Sequence, residues 1–281
     1  MPIYDQSYRR YEAREPLRKV RYWPITREAL RLILAKRAFL GLLMIAWVPF
    51  LARVIQIYVV TRFPEAGRVL PVDGRLFGEF LAQQSVFTLF LTVFGGAGLI
   101  ANDLRTGAIL VYLSRPLTRR DYVLGKLGVL LALNLSVTLL PALLLYIVAI
   151  ALAPELFLKA DLAWLGPAVI AYSFLVSLVT SLVALAVSAL SRSARVAGLA
   201  FFGLLMGLEL VRGILRAVYD RPESLLISLR ASMHAVGNAM FGIRERAYDI
   251  PWVQPALLLV LVCLGCLAIL RSRVRAVEIV R

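Results

Sequence analysis

Residues 164–190 read W-L-G-P-A-V-I-A-Y-S-F-L-V-S-L-V-T-S-L-V-A-L-A-V-S-A-L, a stretch without one charged side chain. A hydrocarbon core about 30 Å thick is crossed by roughly 20 mostly apolar helical residues, so this stretch is long enough to span a bilayer. Five more such stretches follow outward in both directions, at 38–60, 81–101, 122–152, 196–215 and 252–270. The composition agrees: 60% of residues are hydrophobic and 17% charged, with a mean hydropathy of +0.80. An ordinary soluble domain has about 45–50% and about 25%. The fold class expected is all-α, a polytopic membrane protein with six transmembrane helices.

The chain has 281 residues, with 32 Lys and Arg against 17 Asp and Glu, a net charge of +15 and a pI near 10.5. Such a balance raises nucleic acid as a partner, but its distribution argues otherwise. Residues 1–37, 102–126, 191–195 and 271–281 hold 21 of the 32 bases and seven acids, a net of +14. Residues 61–80, 153–163 and 216–251 hold nine bases and nine acids. Loops rich in Lys and Arg stay in the cytoplasm, so both termini are expected inside a cell membrane, the bacterial inner membrane by expectation. The charge records orientation; the bilayer is the partner it implies, and no nucleic acid is expected.

Four parts follow along the chain: a cytoplasmic extension (1–25), an interfacial amphipathic helix (26–37), a six-span domain (38–270) and a cytoplasmic tail (271–281). In the second part Thr26 reads as an N-cap with Glu28 in the first turn. Leu30, Ile33 and Leu34 recur at helical spacing between the basic Arg27, Arg31, Lys36 and Arg37, the pattern of a helix lying in the interface. The long outer connection 216–251 carries Leu225, Leu226, Ile227, Leu229, Met233, Val236, Met240 and Phe241. Short helices on or dipping into the outer leaflet are expected there, broken by Gly237 and Gly242.

Catalytic constellations are absent from the sequence. One histidine, His234, cannot build an HExxH site, and no G-x-S-x-G elbow occurs. Cys263 and Cys266 lie in an apolar span, where thiolates are disfavoured, and read as packing residues. Gly125-Lys126 is followed by Leu127 and lacks a preceding glycine at phosphate-loop spacing. No cofactor or metal is expected in this chain.

Three charges fall inside the spans: Arg53, Glu209 and Arg212. Arg53 is expected to snorkel outward. Glu209 and Arg212, three apart on one helix face, either form a structural ion pair or line a substrate path. Gly198, Gly203, Gly207 and the fourth-span serines 173, 177, 181 and 188 permit close helix packing, within the subunit or across a dimer.

Between the second and third spans runs N-D-L-R-T-G-A-I-L-V-Y-L-S-R-P-L-T-R-R-D-Y-V-L-G-K, residues 102–126. Gly107 permits a turn, residues 109–113 form a short apolar element, and Pro116 ends it. Thr118 with Asp121 reads as a capping box opening the third helix. The arginines of this element suit docking on carboxylates of another protein.

This stretch resembles the corresponding loop of ATP-binding cassette (ABC) type 2 permeases, the membrane subunits of ABC exporters. The resemblance rests on Asp103, Arg105, Gly107, Ser114 with Pro116, Thr118 with Arg119, and Gly125 with Lys126. Asp103 stands where that family often has Glu, and Gly107-Ala108 where it often has Gly-Thr. The resemblance implies a coupling helix here, seated in a cytoplasmic ATPase subunit. Its docking residues would be Asp103, Arg105, Gly107, Ser114, Arg115, Pro116, Arg119, Arg120 and Lys126. It also implies a second permease subunit, as a homodimer, and two ATPase copies carrying ATP and magnesium. The rival readings are a membrane scaffold or assembly subunit and a membrane-embedded lipid-modifying enzyme, for which Glu209 and Arg212 are a thin set of titratable groups.

Overall fold

The computed structural model describes residues 22–63, 65, 71–108, 118–152, 162–219, 222–243 and 250–274. The extension before Tyr22, the stretch 109–117 with Ser114, Arg115 and Pro116, and the tail after Val274 lie outside the described residues. Everything described is helix, turn or connection, without a strand among the described residues. Among the described residues six helical stretches are long and apolar enough to cross a membrane.

The first helix, α1 (Trp23–Leu34), starts earlier than the sequence reading had it. Pro24 sits near its start, where a missing amide hydrogen leaves no intrahelical bond unmade. Thr26 is therefore not the N-cap and Glu28 is not in the first turn. Thr26 is buried inside the helix, its hydroxyl donating to the Gly125 carbonyl at 2.9 Å. The helix ends before Lys36, whose extended backbone redirects the chain into α2 (Arg37–Ala46).

The first span is two helices, α2 and α3 (Val48–Arg62), broken at Trp47. Pro49 has no amide hydrogen for the carbonyl of Ile45, and the ladder is interrupted there. The second span, α4 (Gly74–Gly95), begins and ends nearer the N-terminus than 81–101. Its polar first turns carry Glu79, which hydropathy excludes, and Asp73 caps them by accepting from the Arg75 amide at 2.9 Å. Past Gly96 the chain turns into α5 (Ala101–Thr106). Ser188 Oγ accepts from the amides of Ile100 and Ala101 at 3.2 and 3.0 Å, satisfying donors that the turn leaves without helical partners.

The third span is α6 (Arg119–Val137) and α7 (Leu139–Leu152), interrupted at Thr138 ahead of Pro141. The fourth, α8 (Leu165–Leu190), is the hub: it packs on α4, α6, α7, on the fifth span α9 (Ala194–Tyr219) and on the sixth span α11 (Val253–Arg273). Of its central window 67% is buried, against 11% for the first and fifth spans, so those two form the exposed flanks of the bundle.

Between the fifth and sixth spans, a 3-10 turn at Pro222–Ile227 leads into α10 (Leu229–Met240). Gly237 does not break this helix, contrary to the sequence reading. It lets α10 approach Tyr172, whose ring would stand 2.6 Å from a Cβ at that position. The chain turns at Gly242 instead, where φ is +66°. Leu229, Met233 and Val236 join the main core, so α10 is packed into the bundle. Cys266 is buried and Cys263 half-buried, both unpaired, as packing residues should be.

Candidate functional site

The described ends of the 102–126 loop form a braced elbow. Gly107 closes α5 with φ +70°, a conformation that favours glycine. On the far side Thr118 caps α6: its hydroxyl accepts from the Asp121 amide at 3.2 Å, and the Asp121 carboxylate accepts from the Thr118 amide at 3.0 Å. The capping box read from the sequence is present with both bonds made.

Asp103 and Lys126 join the two sides. Lys126 Nζ lies 2.8 Å from Asp103 Oδ2, and the Tyr122 hydroxyl donates to the same oxygen at 2.7 Å. The Lys126 ammonium also sits 5.6 Å from the centre of the Tyr122 ring, in cation–π range. Lys126 and Tyr122 are buried. The Lys126 and Asp103 charges neutralise each other within the subunit and hold the elbow's shape. Arg105, Arg119 and Arg120, in contrast, are exposed around it.

The amphipathic helix is part of the same assembly. A Cβ on Gly125 would lie 3.0 Å from Ile25 Cβ, and one on Gly128 would lie 3.1 Å from Thr26 Oγ1. The two glycines thus form a shallow seat on α6 for α1. Of the residues assigned to this helix, Ile33 is buried and Leu30 half-buried, while Arg27, Arg31, Leu34, Lys36 and Arg37 are exposed. Arg37 belongs to the first turn of α2.

Arg53 is half-buried, and its guanidinium donates to Gln56 Oε1 at 2.9 Å and to Oε2 of the exposed Glu79 at 3.2 Å, in the first turns of α4. Glu209 and Arg212 do pair, with Arg212 Nε donating at 3.0 Å. The other Glu209 oxygen accepts from the Ser228 hydroxyl, and Ser228 in turn caps α10 through the Ala231 amide. The pair thereby fastens the fifth span to the start of α10.

A polar cluster missed by the sequence reading lies at the centre of the bundle. Asn134 accepts from the Thr92 hydroxyl at 3.2 Å and donates to Thr180 and Ser181 at 3.4 and 3.3 Å, all fully or nearly buried. It links the second, third and fourth spans. A lone asparagine in an apolar run was the available signal.

A family model described as ABC-2 family transporter protein matches residues 31–221, well over half of the chain. The chain belongs to this ABC-2 family. The match runs from α1 through the fifth span and contains the whole elbow. An ABC-2 protein is the permease component of a membrane transporter and is not itself the catalytic part. The comparison with curated proteins finds no match. Among the described residues no group of His, Cys, Asp and Glu is placed to hold a metal ion.

Proposed function

We propose that this ABC-2 permease serves an exporter in which a separate cytoplasmic ATPase docks on the elbow between the second and third spans. The observation that carries the reading is the contrast within that elbow. Asp103 and Lys126 are spent on an internal brace, while Arg105, Arg119 and Arg120 stay exposed around it. Arg119 and Arg120 open α6, where positive charge opposes the helix dipole by about 0.3–1 kcal/mol each. Arginines held at such a position, exposed and unfavourable to their own helix, fit a role towards an external carboxylate. Ser114, Arg115 and Pro116 would complete the docking element, and ATP with magnesium would bind on the ATPase.

The same reading takes a second copy of this chain as partner, with two ATPases beneath. Its support is the fifth span, where Gly198 packs on Val93 and Ala97 of its own subunit but Gly203 and Gly207 meet nothing. That pair forms a G-x-x-x-G face open to another helix. Both termini would then lie in the cytoplasm of a bacterial inner membrane, α1 riding on α6 and moving with the elbow.

Co-expression with an ABC ATPase subunit from the same source and purification through the permease tests this. The unaltered chain should retain the ATPase, and Arg119→Glu with Arg120→Glu, or Arg115→Glu, should lower retention at least tenfold without changing membrane insertion. Equal retention by the reversed-charge variants overturns the docking role.

A further inference from the structure

At the end of the bundle away from the elbow, a cleft of about 260 Å³ opens between the first span, the second span and α10. Its polar lining is Arg53, Arg75, Glu79, Gln83, His234 and Asn238. Among the described residues that line it, two guanidiniums stand against one carboxylate, an excess of positive charge. Arg53 lies about 13 Å along the helix axis from Arg62 at the end of α3, within the apolar first span. A charge such as Arg53 inside an apolar span is unfavourable unless it meets another, and the exposed Glu79 supplies only part of that compensation.

Exposed residues of α4 continue from this cleft along one face. Arg75, Glu79, Gln83, Val86, Phe90 and Phe94 recur at spacings of three and four, which is one helix face. The outer half of the face is polar. The half towards the elbow is apolar, with Val86, Phe90 and Phe94 all exposed. Pockets for drug-sized ligands run from about 300 to 1,000 Å³, so this cleft holds a headgroup and no more. Any long apolar part of a ligand must lie outside it, on the Val86–Phe94 side.

We propose that the cleft binds the phosphate of an anionic glycerophospholipid, with its acyl chains along the exposed apolar half of α4. Arg75 and the outward donors of Arg53 hold the phosphate oxygens, as forked guanidinium donors do. Gln83 and Asn238 face the glycerol oxygens. The inference rests on the chain spanning a membrane and is independent of ATPase docking.

Native mass spectrometry of the purified full chain, titrated with phosphatidylglycerol, phosphatidylcholine or glycerol 3-phosphate, tests it without any ATPase present. Phosphatidylglycerol should be retained at least tenfold more than phosphatidylcholine. Arg75→Gln, at an exposed position with no packing to lose, should cut phosphatidylglycerol retention about tenfold, and Arg75→Lys should keep most of it. Phe94→Asn should weaken the lipid and leave glycerol 3-phosphate unchanged. Equal retention of phosphatidylglycerol by the unaltered chain and Arg75→Gln overturns the site. Glycerol 3-phosphate binding as tightly as the lipid overturns the lipid part of the proposal, leaving a phosphate site only.

Discussion

The Lys126 ammonium and the Asp103 carboxylate meet at 2.8 Å with side chains only 6% and 16% exposed, so the two ends of the loop between the second and third spans are tied together at its base. Whatever the loop itself contacts, a force on it is delivered to α5 and α6 as one unit. Ser188 anchors α5 to the hub helix, and the Gly125–Ile25 contact anchors α1 to α6. The elbow is thus continuous with the most buried span of the protein.

Breaking this brace should be severe. Lys126→Met leaves Asp103 charged against Tyr122 in a mostly dry site, and removing one member of a buried pair costs about 3 kcal/mol or more. The variant should melt at clearly lower temperature in detergent. The double variant Asp103→Asn with Lys126→Met should recover much of the loss, because no uncompensated charge remains.

The polar cluster around Asn134 should contribute less. Interhelical hydrogen bonds inside membranes average about 0.6 kcal/mol, and Asn134 makes three to neighbouring spans. Asn134→Leu is expected to lower stability by about 1–2 kcal/mol in reversible unfolding. An exposed control, Phe94→Leu, should leave it unchanged.

The seat of α1 is sensitive to a single side chain. Gly125→Leu puts a branched group where Ile25 Cβ and the Tyr22 carbonyl already stand 3.0 and 3.2 Å from a bare Cβ. The helix is expected to lift from α6 while the six spans insert normally. A cysteine replacing the buried Ile25 should then become reactive to a soluble maleimide, and it should be protected when Gly125 is present.

The spans, the capping box, the Gly107 turn and the Glu209–Arg212 pair were legible in the sequence because each rests on local chemistry: hydropathy over twenty residues, a four-residue signature, a left-handed turn, an i,i+3 spacing. What escaped depends on neighbours from elsewhere in the chain. Thr26 looks like a cap by type, but its hydroxyl is claimed by Gly125, ninety-nine residues away. Gly237 looks like a helix breaker until Tyr172 is placed against it. Glu79 shortened the apparent second span because the sequence does not show that Arg53 neutralises it across a helix pair. Asp103 and Lys126 read as docking charges by motif, and that they also pair with each other at 2.8 Å depends on how α5 and α6 are brought together.

Orientation is open to a direct check. Cysteines replacing the exposed Glu223 and Thr118 should label from opposite faces of sealed vesicles, Thr118 from the cytoplasmic side. Labelling of both from one side contradicts the six-span topology.

The central claim is that the elbow is where the ATPase delivers its work. A bifunctional thiol cross-linker applied to Arg120→Cys in the assembled, active complex tests it most directly, with Glu223→Cys as the control. The account predicts an adduct between permease and ATPase at residue 120 whose yield changes between nucleotide-free and ATP-bound states, and none at residue 223. No adduct at 120 in either state, from a complex that still hydrolyses ATP and transports, would contradict it.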